Sequence, residues 1–475
     1  MPTGAGKSIC YQLPAVVQSE TSNFSAVTVV VSPLVALIQD QVIRLTEIGV
    51  DAVGFVHGTN SKEIERRLRS HSKPALLYVT PEKVQKSSDL HKVLQFLYKG
   101  GYLRLFAIDE THCISTWRDF RSAYRELNTL RDEFPNVPIM ALTATATPES
   151  TRDIIDRLKL DNPKIFRQSL NRPNIEYVVR PKRNAMDEVF QLIKTDHPNQ
   201  SGIIYCTGRA ECKGLAKFLR ARRITAKHYH AKLSDTEKLS VHAEWKSGEC
   251  KIIVATVSFG LGIDKPDVRF VIHYDLPKSL ENYYQETGRA GRDGLPAKSI
   301  LFYNFRELKT ILDLPLQGKH VTLKSSADHR RNALAMVGYC EDRSACRRVL
   351  LLKHFGETFS RDDCSGCNNC SDEAFLVIQD HSKEAHLAVS LVQFFEGGFE
   401  DITVLQFIAL FRGANTTDTR KNGRNRNPHY GVGKAMSQEM AELLFNELLR
   451  LDVLVEYRVA RTEGHHYYLK VISLL

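Results

Sequence analysis

The chain opens on Met1-Pro2-Thr3-Gly4-Ala5-Gly6-Lys7-Ser8, a pattern that only one kind of surrounding fold can use. Gly4 and Gly6 let the main chain bend its N–H groups around a string of phosphates, with Thr3 and Ala5 completing the loop. Lys7 is spaced to reach the outer phosphates, and the Ser8 hydroxyl can hold Mg²⁺. Such a loop is the turn between a buried strand and a helix, so it commits its neighbourhood to a parallel α/β sheet. It also makes ATP the expected ligand. Met1 stands where the pattern has glycine, and the strand that should precede the loop has no residues to be made from. The sequence therefore reads as a fragment, or as one that starts an element late.

Short β-branched runs, each followed by a helical pattern, extend the same architecture along the chain. Val27–Val31, Ala75–Val79, Arg104–Ile108 and Ile139–Leu142 form one set; Gly202–Tyr205, Lys251–Ala255 and Val268–His273 form a second. Strands alternating with helices build parallel sheets covered on both faces, and two sets mean two α/β lobes. A boundary falls near Phe166–Asn174. A helical, cysteine-bearing region follows from about Val321 to Ser371, and then a smaller helical domain ends in a hairpin, Val453–Tyr457 and Tyr467–Ile472. The 475 residues thus divide into lobes at 1–168 and 169–315, a metal-binding region at 316–375 and a terminal domain at 376–475. With 65 Lys+Arg against 55 Asp+Glu the net charge is +10, which favours a polyanionic partner. The stretch Arg412–Lys434 alone carries six basic residues against one aspartate. The longest apolar run, Ala26–Val31, is too short to span a bilayer, so no membrane association is expected. Of the ten cysteines, four cluster at metal-ligand spacing and the rest scatter through apolar segments, as suits a reducing compartment.

Three further blocks carry chemistry. Ile108-Asp109-Glu110-Thr111-His112 ends an apolar strand, where paired carboxylates sit beside the phosphate site of such sheets. Asp109 is placed to hold Mg²⁺, and Glu110 to orient and deprotonate an attacking water. Ala141-Leu142-Thr143-Ala144-Thr145-Ala146-Thr147 is small and hydroxyl-rich, suited to close packing and to relaying a local change. In the second lobe, Gln285-Glu286-Thr287-Gly288-Arg289-Ala290-Gly291-Arg292 offers arginines that can neutralise charge building on a γ-phosphate.

Together with VVSPLVALIQDQV, YVTPEK, SLNRPNI, IIYCTGRAEC, the long block from Ile252 to Gly294 and the cysteine cluster, these motifs resemble a superfamily-2 helicase of the RecQ family, with a Bloom-type look to the carboxyl-terminal half. The resemblance covers almost the whole chain in the family's order. It implies two RecA-like lobes, a zinc-binding subdomain and a winged helix. It implies that Lys7 and Ser8 bind phosphates and Mg²⁺, that Asp109 and Glu110 drive hydrolysis, and that His112 contacts Gln285 to couple the lobes. Asp264 would lie near the ribose, and Arg292 would act as arginine finger with Arg289 as partner or alternative. Ser32, Pro33, Thr80, Thr207 and Arg209 fall in blocks that track the DNA backbone through peptide N–H groups and hydroxyls.

Cys364-x₂-Cys367-x₂-Cys370 supplies three thiolates, and Cys346 matches the family's fourth ligand, with Cys340 as its rival. Four thiolates suit tetrahedral structural Zn²⁺ with no open position. The helix Met436–Leu451 shows an apolar stripe of Met440, Leu443, Leu444, Leu448 and Leu451, ahead of a hairpin whose tip carries Arg461, Glu463, Gly464, His465 and His466. The chain departs from the family in lacking the segment before the phosphate loop, which reads adenine. It also carries Thr111 in place of alanine and a shortened aromatic loop, Trp117-Arg118-Asp119-Phe120-Arg121. Trp117 and Phe120 remain available for stacking on bases, beside Arg121. The resemblance implies a nuclear 3′-to-5′ DNA helicase acting on single-stranded and duplex or forked DNA in recombination and repair, with topoisomerase and recombination factors as partners. The departures leave open a chain that binds DNA without unwinding it.

Overall fold

A computed structural model describes residues 1–2, 4–21, 26–116, 122–260, 265–313, 323–371, 377, 379–396, 402–421, 423–461 and 464–471. The chain divides into two compact units, Met1–Asp372 and Glu373–Leu475.

The first unit contains two parallel sheets. In the amino-terminal lobe, β1 (Val27–Val31), β2 (Ala52–Phe55), β3 (Leu76–Val79), β4 (Leu103–Ile108) and β5 (Ile139–Ala141) lie in the order β2-β3-β1-β4-β5. The central strand Val-Thr-Val-Val-Val is buried throughout, as a strand sandwiched between helices must be. In the second lobe, β6 (Ile175–Pro181), β7 (Ser201–Tyr205), β8 (Ala226–Tyr229), β9 (Ile252–Ala255), β10 (Val268–His273) and β11 (Ala297–Tyr303) run β6-β11-β10-β7-β9-β8, every pair parallel. Parallel strands put all their carboxyl ends on one edge, and the loops there carry Ser32, Thr80, Asp109 and Thr207, whereas the arginine-bearing loop of the second lobe lies at the opposite edge, where the Gly291 N–H bonds Val268 at the start of β10. The cysteine-bearing helices Leu323–Glu341 and Arg347–His354 do not stand apart from this lobe. Tyr339, Leu351, Phe355 and Cys367 pack into one continuous apolar core with Ile175, Tyr205, Val271 and Tyr283.

The second unit holds the helices Ser382–Glu396, Val404–Phe411 and Gln438–Arg450 and a terminal hairpin. Thr403 caps the second helix, accepting the Gln406 N–H, while the Gln406 side chain accepts the Thr403 N–H. Two details correct the sequence reading. The last helix buries Ala441, Phe445, Leu448 and Leu449, whereas Leu451 is 56% exposed, so the apolar face is rotated from the expected stripe. Phe445, an aromatic outside the stripe's spacing, locks that face through an edge-on contact with Phe411. The hairpin strands, β12 (Leu454–Arg461) and β13 (Gly464–Val471), also extend further than expected, since β-pairing continues to Arg461 and Gly464. His465 and His466 therefore pair with Ala460 and Val459 inside the ladder and are not at the tip; Glu463 lies outside the described residues.

Candidate active site and metal centre

The phosphate-loop glycines both adopt left-handed backbone, φ +84° at Gly4 and +76° at Gly6, a region only glycine enters without strain. Ala5 is exposed between them, and Ser8 is half-buried just before the helix Ile9–Thr21. The Lys7 ammonium donates to the Pro2 carbonyl at 3.3 Å. Burial lowers its pKa, opposed by the carboxylates of Glu110 and Asp109 and reinforced by Arg292. One lysine thus lies within reach of both acidic residues and of an arginine from the other lobe.

Beyond β4 the main chain turns sharply, with Glu110 at φ +50°. The turn is tied from three sides. The Glu110 N–H donates to Asp109 Oδ1 at 2.9 Å, the Cys113 N–H to the Glu110 carbonyl at 2.9 Å, and the Thr111 N–H and hydroxyl both to the Leu142 carbonyl. Holding a non-glycine residue there costs about 1–3 kcal/mol, and such strain concentrates where a side chain must be aimed. Here it aims Glu110 at His112, whose Nδ1 lies 3.1 Å from Glu110 Oε2 and 3.1 Å from the Thr143 hydroxyl. Burial opposes ionisation of Glu110, but the His112 hydrogen bond and charge, with Lys7 and Arg289, hold its carboxyl below the usual range. Asp109 is driven the other way, up to about 7, by burial and by the charge of Glu110. Of the two carboxyls Glu110 is the stronger acid, because the imidazolium stands beside it.

The second lobe completes the cluster. A β-carbon added to Gly4 would stand 3.4 Å from Arg292 Cγ, so the arginine lies directly over the phosphate loop. Arg289 is 5% exposed, contributes its charge to Glu110, and keeps its Nε buried without a hydrogen-bond partner among the described residues. Gln285 is half-buried on the helix Leu280–Thr287, and His112 meets Glu110 and Thr143. Thr3, Asp264, Trp117, Phe120 and Arg121 lie outside the described residues.

The remaining residues assigned to DNA sit on strand ends of both lobes. Ser32 and Pro33 follow β1 and are buried, and Ser32 Oγ has no hydrogen-bond partner among the described residues. Thr80 follows β3 and caps the helix Pro81–Lys86 by accepting the Lys83 N–H at 3.2 Å. After β7 the arrangement corrects the expectation of free peptide donors. The Thr207 N–H donates to Asp275 Oδ2 at 2.6 Å and the Gly208 N–H to Glu211 Oε2 at 3.2 Å, so these two peptide donors are already engaged, while the Arg209 side chain is exposed. Asp275 is itself held by Lys182, which bridges to Glu307. Asp275 and Glu307 were invisible in the sequence because they act from distant elements, whereas Glu211 lies in the first turn of the helix that follows the loop.

The sulfurs of Cys346, Cys364, Cys367 and Cys370 all lie within 4.8 Å of one another. The Cys346–Cys367 separation is 3.9 Å. A tetrahedral Zn²⁺ with metal–sulfur bonds of ~2.3 Å places its thiolates ~3.8 Å apart, whereas a disulfide needs ~2.05 Å. The donor set therefore fits zinc. Cys340 is buried elsewhere and is not part of the cluster.

Four family models match in this order: a DEAD/DEAH box helicase over residues 1–154, a helicase conserved C-terminal domain over 182–294, a RecQ zinc-binding domain over 309–371 and an RQC domain over 377–474. The chain belongs to the RecQ helicase family. Its Bloom-type character shows in the curated relatives. It is 40% identical to the ATP-dependent DNA helicase hus2/rqh1 of Schizosaccharomyces pombe over 98% of its own length, 36% identical to the ATP-dependent helicase SGS1 of Saccharomyces cerevisiae over 98%, and 40% identical to the RecQ-like DNA helicase BLM of Xenopus laevis over 96%. This RecQ chain spans only 35%, 32% and 34% of those three proteins. Among solved structures the fold resembles the DUF1998 helicase MrfA bound to DNA and AMPPNP (TM-score 0.54, 17% identity, 80% of this chain and 56% of that one). It also resembles the Mycobacterium smegmatis helicase Lhr bound to single-stranded DNA and AMP-PNP (TM-score 0.52, 18% identity, 99% and 56%). The RecQ chain is thus an α/β protein of two RecA-like lobes with a four-cysteine zinc centre and an RQC winged-helix domain.

Proposed function

We propose that this RecQ chain hydrolyses ATP to move 3′ to 5′ along single-stranded DNA and unwinds duplex or branched DNA. The observation that carries the reading is the convergence of Arg292 and Arg289 from one lobe on Lys7, Asp109 and Glu110 of the other. Lys7 and the amides of Gly4, Ala5 and Gly6 hold the phosphates, and the family resemblance adds Thr3 to that loop and assigns Asp264 to the ribose. Asp109 and Ser8 are the residues that would hold Mg²⁺, which when bound polarises the phosphates. Glu110, kept ionised by His112, accepts the proton of the attacking water. His112 and Thr143 fix the direction of that carboxylate. Arg292 compensates charge on the γ-phosphate, with Arg289 beside it, a contribution of about 10³–10⁵ in rate where such arginines have been removed. Because these arginines sit on the second lobe, occupancy of the cleft favours closure and product release favours opening. Ser32, Pro33, Thr80, Trp117, Phe120 and Arg121 on one lobe and Thr207 and Arg209 on the other would then hold the DNA backbone and bases alternately. Gln285 would join the coupling on closure. The divisions at 168, 315 and 375, nuclear action in recombination and repair, and binding to topoisomerase or recombination factors follow the same family reading.

The test is unwinding of a duplex with a single-stranded tail at either its 3′ or its 5′ end. The reading requires ATP-dependent strand separation from the 3′-tailed substrate alone. Retained DNA binding without unwinding of either would favour a chain that grips DNA passively, as its shortened Trp117–Arg121 loop would allow.

A further inference from the structure

The loop bearing Arg289 and Arg292 spends its peptide donors inside its own lobe: Gly288 N–H on Tyr284, Arg289 N–H on Glu286, Ala290 N–H on Thr287 and Gly291 N–H on Val268. Its carbonyls are held from outside. Arg172 donates to the Gly288 carbonyl at 3.2 Å and to the Ala290 and Gly291 carbonyls at 2.9 Å each. Those three carbonyls bracket Arg289 and end one residue before Arg292. Asn174 adds a bond to the Gly291 carbonyl at 2.8 Å. Gly291 itself is left-handed, φ +55°, and a β-carbon there would stand 2.5 Å from Asn174 Nδ2, so loop and connector fit without slack.

Arg172 belongs to the stretch at the lobe boundary that leads into β6, and this connector is gripped in turn. Arg348, 1% exposed, donates to the Asn171 side chain at 2.9 Å and to the carbonyls of Arg172 at 2.7 Å and Ile175 at 2.5 Å. Glu357 accepts the Leu170 N–H at 2.7 Å, and the Tyr284 hydroxyl donates to the Leu170 carbonyl at 2.8 Å. A planar guanidinium that meets three main-chain oxygens fixes both distance and tilt, which a point-charge ammonium cannot do. We infer that Arg172, anchored by Arg348, is a positioning residue for the arginine-bearing loop: it sets where Arg289 and Arg292 stand in the cleft without touching the nucleotide. This rests on the proposed ATPase reading for its catalytic consequence, but the positioning itself does not.

Arg172→Ala and Arg172→Lys in the full chain test it with two readouts. In amide hydrogen exchange, peptides covering 286–292 should exchange at least about tenfold faster in Arg172→Ala, while strands β7 and β10 stay protected as in the parent. Arg172→Lys, the variant to use if Arg172→Ala does not fold, should show the same loosening to a smaller degree. In single-stranded-DNA-stimulated hydrolysis, kcat should fall roughly 10- to 100-fold with the KM for ATP little changed. The double variant with Arg292→Ala should lose less than the product of the two single losses, the remainder being the displaced Arg289. Unchanged exchange across 286–292 in a folded variant overturns the inference, as does additivity with Arg292→Ala. Should the parent chain itself fail to hydrolyse ATP, the functional reading falls, and the exchange measurement alone decides the positioning.

Discussion

Arg292 of the second lobe lies over Gly4 of the first, so close that a methyl group on the glycine would touch its side chain at 3.4 Å. Gly4 is also left-handed, so any side chain there meets strain and the arginine together. Everything proposed for catalysis depends on that juxtaposition, because it places a cation from one lobe on the phosphate loop of the other.

Glu110→Gln should remove turnover while leaving nucleotide affinity within a few-fold of the parent. A positioned base contributes about 10²–10⁴ in rate, and the amide keeps the shape but cannot take the proton. Steady-state hydrolysis beside equilibrium nucleotide binding checks this, and an active Glu110→Gln enzyme removes Glu110 from its role.

Thr111 has a use that alanine lacks. Its hydroxyl donates to the Leu142 carbonyl at 3.1 Å, tying the acidic turn to the strand end that leads to Thr143. Thr111→Ala should cost about 1 kcal/mol of stability, with kcat nearly unchanged, since the peptide N–H of residue 111 still bonds the same carbonyl. Thr143→Val, by contrast, takes a partner from His112 and should lower kcat more than it lowers stability. Denaturant unfolding paired with kinetics separates the two.

Asp109 makes the fold sensitive to pH. Its pKa is raised to about 7 by burial and Glu110, above the ordinary aspartate value. The folded state thus binds this proton more tightly than the unfolded chain, and stability falls as pH rises through the interval between the two values. The neutral Asp109→Asn side chain escapes that loss. Its stability relative to the parent should improve steadily from about pH 4 to about pH 7 and level off above that. A constant difference across that range would contradict the assignment.

Zinc should matter to the second lobe first, because Cys367 and the helices around it share that lobe's core. Structural zinc contributes ~10–16 kcal/mol of apparent folding energy in small domains. Cys367→Ser should lose bound zinc and shift the unfolding of 1–372 to lower temperature, with little effect on 373–475. Metal analysis and calorimetry read both, and a zinc-free variant that unfolds like the parent would refute the claim.

The central strands were legible because burial on both faces demands continuous β-branched runs, as in Val27–Val31 and Val268–His273. The strands that escaped notice are mostly edges. Ala52–Phe55, Ile175–Pro181 and Ala226–Tyr229 each close one side of a sheet, where one neighbour is missing and polar residues, glycine or a terminal proline are tolerated. The site divides in a similar way. Lys7, Asp109, Glu110 and the zinc cysteines announce themselves by spacing, since ligand geometry fixes spacing. Arg172 does not: its partners are main-chain carbonyls, which any sequence supplies, and only the folded chain shows that three of them face it.

The most direct test of the account is ATP hydrolysis with and without single-stranded DNA, with Lys7→Ala as the blank. The cleft described here predicts hydrolysis that DNA stimulates strongly and that the blank abolishes. Equal rates in the parent and Lys7→Ala, or no turnover beside intact DNA binding, would contradict it.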